Sequence, residues 1–341
     1  MVALGTVTDL VPLVGENRYL VREGLKVLNN TRRIGLQEMI GLTRIRPGEI
    51  DARQISWALG PRLNAASRMG DASTSYELLN AQSPEEARRL ATALEEKNAE
   101  RQRLADEVFN RAKERLTYKM GLPLLIEGAE DYPVGIIGLV AGKLVDEFYK
   151  PAIILNLGQE ICRGSCRSIS EFDITSALEK CHDLLISFGG HPLAAGFTLE
   201  RQNLSKLEER IVRLAMDQLA HIDLRPKLVI DAEVPLAVFA GDTFNLLQGL
   251  SPFGKGNPQP TFLTRGVEVV ERRGLGNQGR HLELKVRQGS AIWRAMAFGS
   301  GKTEDEISST IDIVYSVGKG WWGGEEVLCL NLQDFAPSGT A

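Results

Sequence analysis

One run limits what this chain can fold into more than any other. Ser83-Pro84-Glu85-Glu86 is a strong helix start, with a capping serine, proline in the first turn, and acids facing the positive end of the helix dipole. From there Ala87, Leu90, Ala91, Leu94, Asn98, Arg101, Leu104, Ala105, Val108, Phe109, Ala112 and Leu116 mark one narrow face, while Glu, Arg, Lys and Gln fill the others. At the usual helical rise, residues 84–116 make a rod about 50 Å long. So polar a rod packs along one stripe only and reads as a connector. A domain boundary is expected along it, ending before Gly121. A chain of 341 residues is too long for one ordinary core, and two or three domains are expected.

Before the connector, Met1–Asp9 reads as the end of a buried strand followed by a turn. Asp9 there is a metal ligand, a helix cap or a salt-bridge partner. Residues 18–42 have helical periodicity broken near Asn29-Asn30, and Glu49 to Leu59 is a further helix ending at Gly60-Pro61. After the connector the pattern alternates. Leu122–Glu127 and Pro151–Leu157 are short apolar strands. Asp131 opens a helix whose glycines permit close packing. Asp173–Leu185 is a helix, Gly196–Thr198 a strand, and 203–220 an amphipathic helix. This is α/β. From Leu228 strands dominate: Leu228–Ile230, Val267–Arg272, His281–Val286, Ile292–Phe298, Ile311–Tyr315 and Val327–Leu332. Short strands separated by turn residues read as a small barrel, with an oligonucleotide-binding (OB) fold as the leading expectation.

Three stretches carry phosphate-like chemistry. Gly60–Gly70 supplies Arg62 and Arg68 with Asn64 between them. Cys162–Ile169 supplies Arg163, Gly164, Ser165, Arg167 and Ser168. Ser187–Phe197 holds Gly189-Gly190-His191, where turn N–H groups make an anion nest and His191 is a donor at its mouth. The first and the third have bland alternatives: a helix start with solvated arginines, and a tight helix-to-strand turn. The loop Ser251–Pro260 offers Phe253 and Lys255 on a Pro/Gly frame. Arg272, Arg273, Arg280, His281, Lys285, Arg287 and Arg294 give the strand-rich region a basic face, either a single-strand groove or a solvated surface.

The net charge of −4 argues against a strongly basic nucleic-acid coat, though not against a local basic groove. The four cysteines, Cys162, Cys166, Cys181 and Cys329, are too scattered for a disulfide framework. With no signal peptide and no apolar run long enough to span a bilayer, a reducing cytoplasm is the simple expectation. Cys162 and Cys166 with Cys181, His182 and His191 are a weaker zinc reading, because the spacing misses the usual knuckle.

Taken together, Ala3–Asp9, Ala58–Arg68, Arg163–Ser168 and Phe188–His191 closely resemble the RecJ family, single-strand-specific 5′→3′ DNA exonucleases of the DHH phosphoesterase superfamily, in order and spacing over essentially the whole chain. The resemblance implies four regions. Residues 1–82 are the end of the DHH catalytic domain, 83–120 the long connector helix, 121–224 the DHH-associated α/β domain, and 225–341 the OB-fold barrel. It implies Mn2+ or Mg2+ held by aspartates and histidines of four motifs. Only Asp9 carries over as a catalytic metal ligand; the other motifs are expected upstream of Met1. Ser165 and Arg167 match the phosphate pocket, with Gly189-Gly190-His191 beside it and Arg62, Asn64 and Arg68 across the cleft. The implied partner is single-stranded DNA, with a single-strand-binding protein or a RecQ-type helicase as candidates and a monomeric state. Three departures stand out: Cys166 replaces a usual glycine, Ser67 a glycine, and Tyr132-Pro133 a Trp-His or Trp-Asn pair. Three functional readings follow. The chain is a portion of an exonuclease, inactive by itself; or a non-catalytic DNA-binding module or split subunit; or, more weakly, a phosphodiesterase of short oligonucleotides.

Overall fold

The computed structural model describes residues 1–43, 45–46, 48–275, 281–299, 307–322 and 325–339. Arg280 of the proposed basic face lies outside the described residues. The chain forms two compact units. One comprises Met1–Asn29, Ile50–Ile55 and Lys227–Ala341; the other comprises Asn30–Glu49 and Ser56–Pro226.

The first unit opens with helix α1 (Val2–Thr8), not the expected strand. Ala3, Leu4 and Val7 are its buried residues, and three- and four-residue spacing puts them on one helical face. A single strand would have left its backbone groups unpaired. Helix α2 (Gly15–Asn29) packs so closely on α1 that a Cβ on Gly24 would lie 2.5 Å from the Ala3 methyl.

Helix α3 (Ile34–Leu42) follows in the second unit. Asp51 then caps α4 (Ala52–Gln54) through a capping box with Gln54. The expected stop at Gly60-Pro61 does not occur. A π-helical turn, Ile55–Leu59, leads directly into α5 (Gly60–Met69). Proline is tolerated because it falls in the first turn of the new helical segment, where its missing N–H is not needed. Helix α6 (Ser73–Asn80) leads to α7 (Pro84–Leu116), capped by the Ser83 hydroxyl as expected. Helix α7 lies wholly within the second unit, packed on α3, α5, α6 and α8.

The α/β region that follows is a five-stranded sheet in the order β1-β2-β3-β5-β4. Strand β1 is Leu125–Ala129, β2 Ala152–Leu157, β3 Ile161–Arg167, β4 Ser187–His191 and β5 Ala194–Glu200. Helix α8 (Val134–Phe148) joins β1 to its parallel neighbour β2; the remaining pairs are antiparallel. Helices α7 and α8 cover one face. Helices α9 (Ile174–Glu179) and α10 (Leu204–Leu219) cover the other. The expected helix through Leu185 breaks after Glu179 into a 3-10 turn, His182–Leu184. The supposed glycine turn at 189–191 is the edge strand β4.

In the first unit, Leu228–Ile230 is not a strand; pairing begins with β6 (Ala232–Glu233). Helix α11 (Thr243–Gln248) precedes the barrel strands β7 (Phe262–Leu275), β8 (His281–Gln288), β9 (Ala291–Phe298), β10 (Thr310–Trp322) and β11 (Glu325–Pro337). The sheet runs β7-β8-β9-β11-β10, and β10 returns to pair with β7. Closure removes both sheet edges and makes a five-stranded OB-type barrel around Val267, Leu284, Ile313 and Tyr315. Among the described residues no helix is long and apolar enough to cross a membrane.

Candidate nucleic-acid interface

Strand β3 sorts its residues by alternation. Cys162, Gly164 and Cys166 point into the core, where a Cβ on Gly164 would collide with the Phe197 ring at 2.2 Å. Arg163, Ser165 and Arg167 take the opposite face, the one covered by α8. Register extends this face across two more strands. Arg167 lies level with Ala194 and His191, Ser165 with Gly196 and Gly189, and Arg163 with Thr198 and Ser187. The result is a floor of glycine and alanine between Ser165 and Arg167 on one side and exposed His191 on the other. Gly190 is required by crowding, since a Cβ there would lie 2.3 Å from the Ala194 carbonyl oxygen.

Two glycines of α8 bring other elements to this place. A Cβ on Gly138 would lie 2.8 Å from Ser165 Oγ and 3.3 Å from Arg167 Nη2. A Cβ on Gly135 would lie 1.9 Å from the Arg68 carbonyl oxygen, so α5 ends directly against the start of α8. Arg68 Nη1 donates to the Gly135 carbonyl at 3.4 Å. Arg167 Nη1 donates to the Cys166 carbonyl at 2.7 Å. On α7, Arg101 Nη2 donates to Asn98 Oδ1 at 2.9 Å, and Asn98 is buried.

The electrostatics would suit an anion. Among the described residues, no carboxylate lies within 4.0 Å of Arg68, Arg101 or Arg167. Burial lowers the pKa of Arg68 from its ordinary value, and neighbouring Arg167 lowers it further. Burial likewise lowers Arg167. Arg101 is lowered by burial, then by Arg68 and Arg62. Each guanidinium is thus partly desolvated among like charges, a situation that a bound phosphate relieves.

The other expected site residues are placed variously. Arg62 is closed by Glu95 in a two-point ion pair, with Nη2 to Oε1 at 3.1 Å, and also donates to the Ala58 carbonyl at 2.9 Å. Asn64 is half-buried on α5, and its carbonyl accepts from the Ser67 hydroxyl at 3.1 Å. Arg163 is exposed. Ser168 is not brought to the floor: it is buried and its hydroxyl donates to the Phe172 carbonyl at 2.6 Å. Gly164 faces the core. Cys166 also faces the core, so its thiol does not crowd the phosphate-like face; burial pushes its pKa up. All four cysteines are free and buried. Tyr132 is fully buried, beneath the Arg111 guanidinium at 4.7 Å, and so is not placed as a surface donor.

In the other unit, Phe253 is half-buried with Leu247, Phe262 and Val317 around a small gap. Its loop is rigid: Gly254 and Asn257 exchange backbone bonds at 2.9 and 3.1 Å, and the Lys255 carbonyl accepts from Leu13 N–H. Lys255 itself is exposed. The basic barrel face is largely paired internally. Arg287 meets Glu268 at 2.7 Å, Lys285 meets Glu271 at 2.7 Å and Arg294 meets Glu283 at 2.9 Å. Arg272 donates to the Ile307 carbonyl, and His281 accepts from Gly299 N–H.

Asp9 is exposed at the C-terminal cap of α1. Among the described residues, no group of three or more His, Cys, Asp or Glu is arranged to hold a metal ion. The described side chains therefore do not by themselves fit a two-metal centre.

Arg101 and Asn98 are the residues hardest to find from sequence. Their signal is an interruption: two polar residues in the otherwise apolar stripe of α7.

Residues 121–217 match the DHHA1 domain, and residues 230–334 match the RecJ OB domain. The single-stranded-DNA-specific exonuclease RecJ of Bacillus subtilis is 33% identical over 344 residues, covering 99% of this chain and 44% of that protein. The enzyme of the same name from Salmonella typhimurium is 29% identical over 357 residues, covering 99% of this chain and 60% of its own length. The crystal structure of RecJ from Thermus thermophilus in complex with Mn2+ superposes with a TM-score of 0.85 at 26% identity, over 99% of this chain and 49% of that one. This chain spans about half the length of these relatives. With both domains present in order and the likeness running along its whole length, the chain belongs to the RecJ family of the DHH superfamily.

Proposed function

We propose that this chain is the single-strand-handling portion of a 5′→3′ DNA exonuclease, with the Arg68–Arg101–Arg167 cluster and Ser165 holding the sugar-phosphate backbone. The observation that carries this is the cluster itself: three half-buried guanidiniums with no carboxylate at salt-bridge distance among the described residues. Desolvated cations without counter-ions are matched by phosphates, and the glycine floor admits a backbone without steric cost. The names of the relatives supply the single-stranded DNA.

Hydrolysis needs Mn2+ or Mg2+ to activate water and neutralise the leaving oxygen. In this reading Asp9 contributes one ligand and the remaining ligands come from polypeptide that the longer relatives carry. The chain assayed alone then binds DNA and cuts it little or not at all. The division proposed is 1–82 as the end of the DHH domain, 83–120 as the connector helix, 121–224 as the associated domain and 225–341 as the OB domain. A role in DNA repair and recombination in the cytoplasm, acting as a monomer beside a single-strand-binding protein or RecQ-type helicase, belongs to the same proposal.

A second reading, a non-catalytic binding module, is favoured by the missing ligand cluster among the described residues. The two readings part in one experiment: 5′-phosphorylated single-stranded DNA is incubated with the purified chain and Mn2+, with and without the unmatched portion of a relative added as a separate polypeptide. Cutting restored by the added portion supports the exonuclease reading. Binding without cutting in both arms supports the module. Absence of binding refutes both.

A further inference from the structure

Helices α5 and α7 run side by side, and what they present to each other changes along their length. Arg62 meets Glu95 and is neutralised. Further along the same two helices, Arg68 and Arg101 are electrostatic neighbours, and among the described residues neither forms an ion pair with an acid. Arg101 is a built feature. Buried Asn98 fixes its Nη2, and its buried Nε has no hydrogen-bond partner among the described residues. An unsatisfied buried donor on a cation is costly and calls for a ligand. Arg167 is a neighbour of Arg68, while Arg101 is flanked by Arg68 and Arg62. Arg68 lies against Gly135 of α8 and Arg167 against Gly138, three residues on along the same helix. The three positive charges of Arg68, Arg101 and Arg167 exceed the single charge of one phosphodiester.

We infer that Arg101, held by Asn98, binds a second phosphate of the strand, next to the one bound by Ser165, Arg167 and Arg68. The inference rests on the backbone-binding reading of the cluster. It makes the site a reader of two successive phosphates, one that an oligonucleotide satisfies and a lone phosphate does not. Asn98 is a positioning residue; Arg101 touches the ligand.

The test uses the full chain, a single-stranded oligothymidylate, and inorganic phosphate as its competitor, with Arg101→Gln and Arg167→Ala compared. For Arg101→Gln, losing one phosphate contact lowers the slope of log affinity against log salt by about 0.7, and oligonucleotide affinity falls roughly tenfold. Inorganic phosphate competes as strongly against the remaining binding as before. Arg167→Ala weakens both ligands. An unchanged salt slope in Arg101→Gln, or equal loss of phosphate and oligonucleotide, overturns the inference. If Arg167→Ala changes neither ligand, the backbone-binding reading itself fails. Arg101→Lys replaces Arg101→Gln should the latter not fold. It keeps the charge but loses the Nε donor and the Asn98 bond, so oligonucleotide affinity drops while phosphate competition holds; no change in either overturns the inference.

Discussion

The arginines around β3 and those on the barrel face make an instructive pair. Both regions are rich in basic residues, and in sequence both look suited to nucleic acid. In the barrel, Arg287, Lys285 and Arg294 are answered by Glu268, Glu271 and Glu283 on neighbouring positions. The Arg287 and Lys285 pairs are solvated and weakly stabilising, the Arg294 pair has its Glu283 end buried, and all three are electrostatically closed. Around β3, Arg68, Arg101 and Arg167 lose water and, among the described residues, gain no acid. The number of cations does not distinguish the regions; what answers each cation does. Arg62 shows both conditions within one helix, because a single glutamate removes it from the cluster that Arg68 joins.

Several substitutions press on this contrast. The largest effect is expected from Gly135→Val, whose side chain must displace the Arg68 carbonyl. It should cost about 3 kcal/mol of stability, measured by urea unfolding, and take DNA binding with it. Arg167→Ala should weaken binding of single-stranded DNA by roughly tenfold or more, the worth of a charge-assisted contact, with no comparable loss of stability. Glu95→Gln tests the converse. Freeing Arg62 should steepen the salt dependence by about 0.7 and tighten binding severalfold; an unaltered slope would show that Arg62 does not reach the strand. The smallest effect is expected from Arg287→Ala. Because the ion pair it breaks is exposed, binding should change by less than about twofold, and a tenfold loss would make the barrel face a primary contact.

Much of the fold is legible in the sequence. The cap at Ser83-Pro84 and the stripe of α7 both form, and Gly135 and Gly138 of α8 do pack closely, whereas Gly142 meets open space. The strand density after Leu228 does give a closed barrel. The failures have physical causes. Short apolar runs do not declare their period, so α1 reads as a strand although Ala3, Leu4 and Val7 suit a helix equally. Gly189-Gly190 reads as a turn because paired glycines usually punctuate. Here Gly190 serves a strand that runs too close to the Ala194 carbonyl for a side chain. In the site, Ser165, Arg167 and Arg68 are legible from short motifs. Arg62 belongs to the same motif, and nothing local reveals its partner Glu95, far along the chain. Arg101 lies in a helix whose role looks purely mechanical.

The most direct measurement is the salt dependence of single-stranded DNA binding by the full chain and by a variant carrying both Arg68→Ala and Arg167→Ala. If the unpaired cluster is the backbone site, the double substitution lowers the slope by about 0.7, the worth of the one phosphate that these two arginines share, and most of the affinity at moderate salt goes with it. A slope and affinity that survive the double substitution would contradict the account and move the binding surface elsewhere in the molecule.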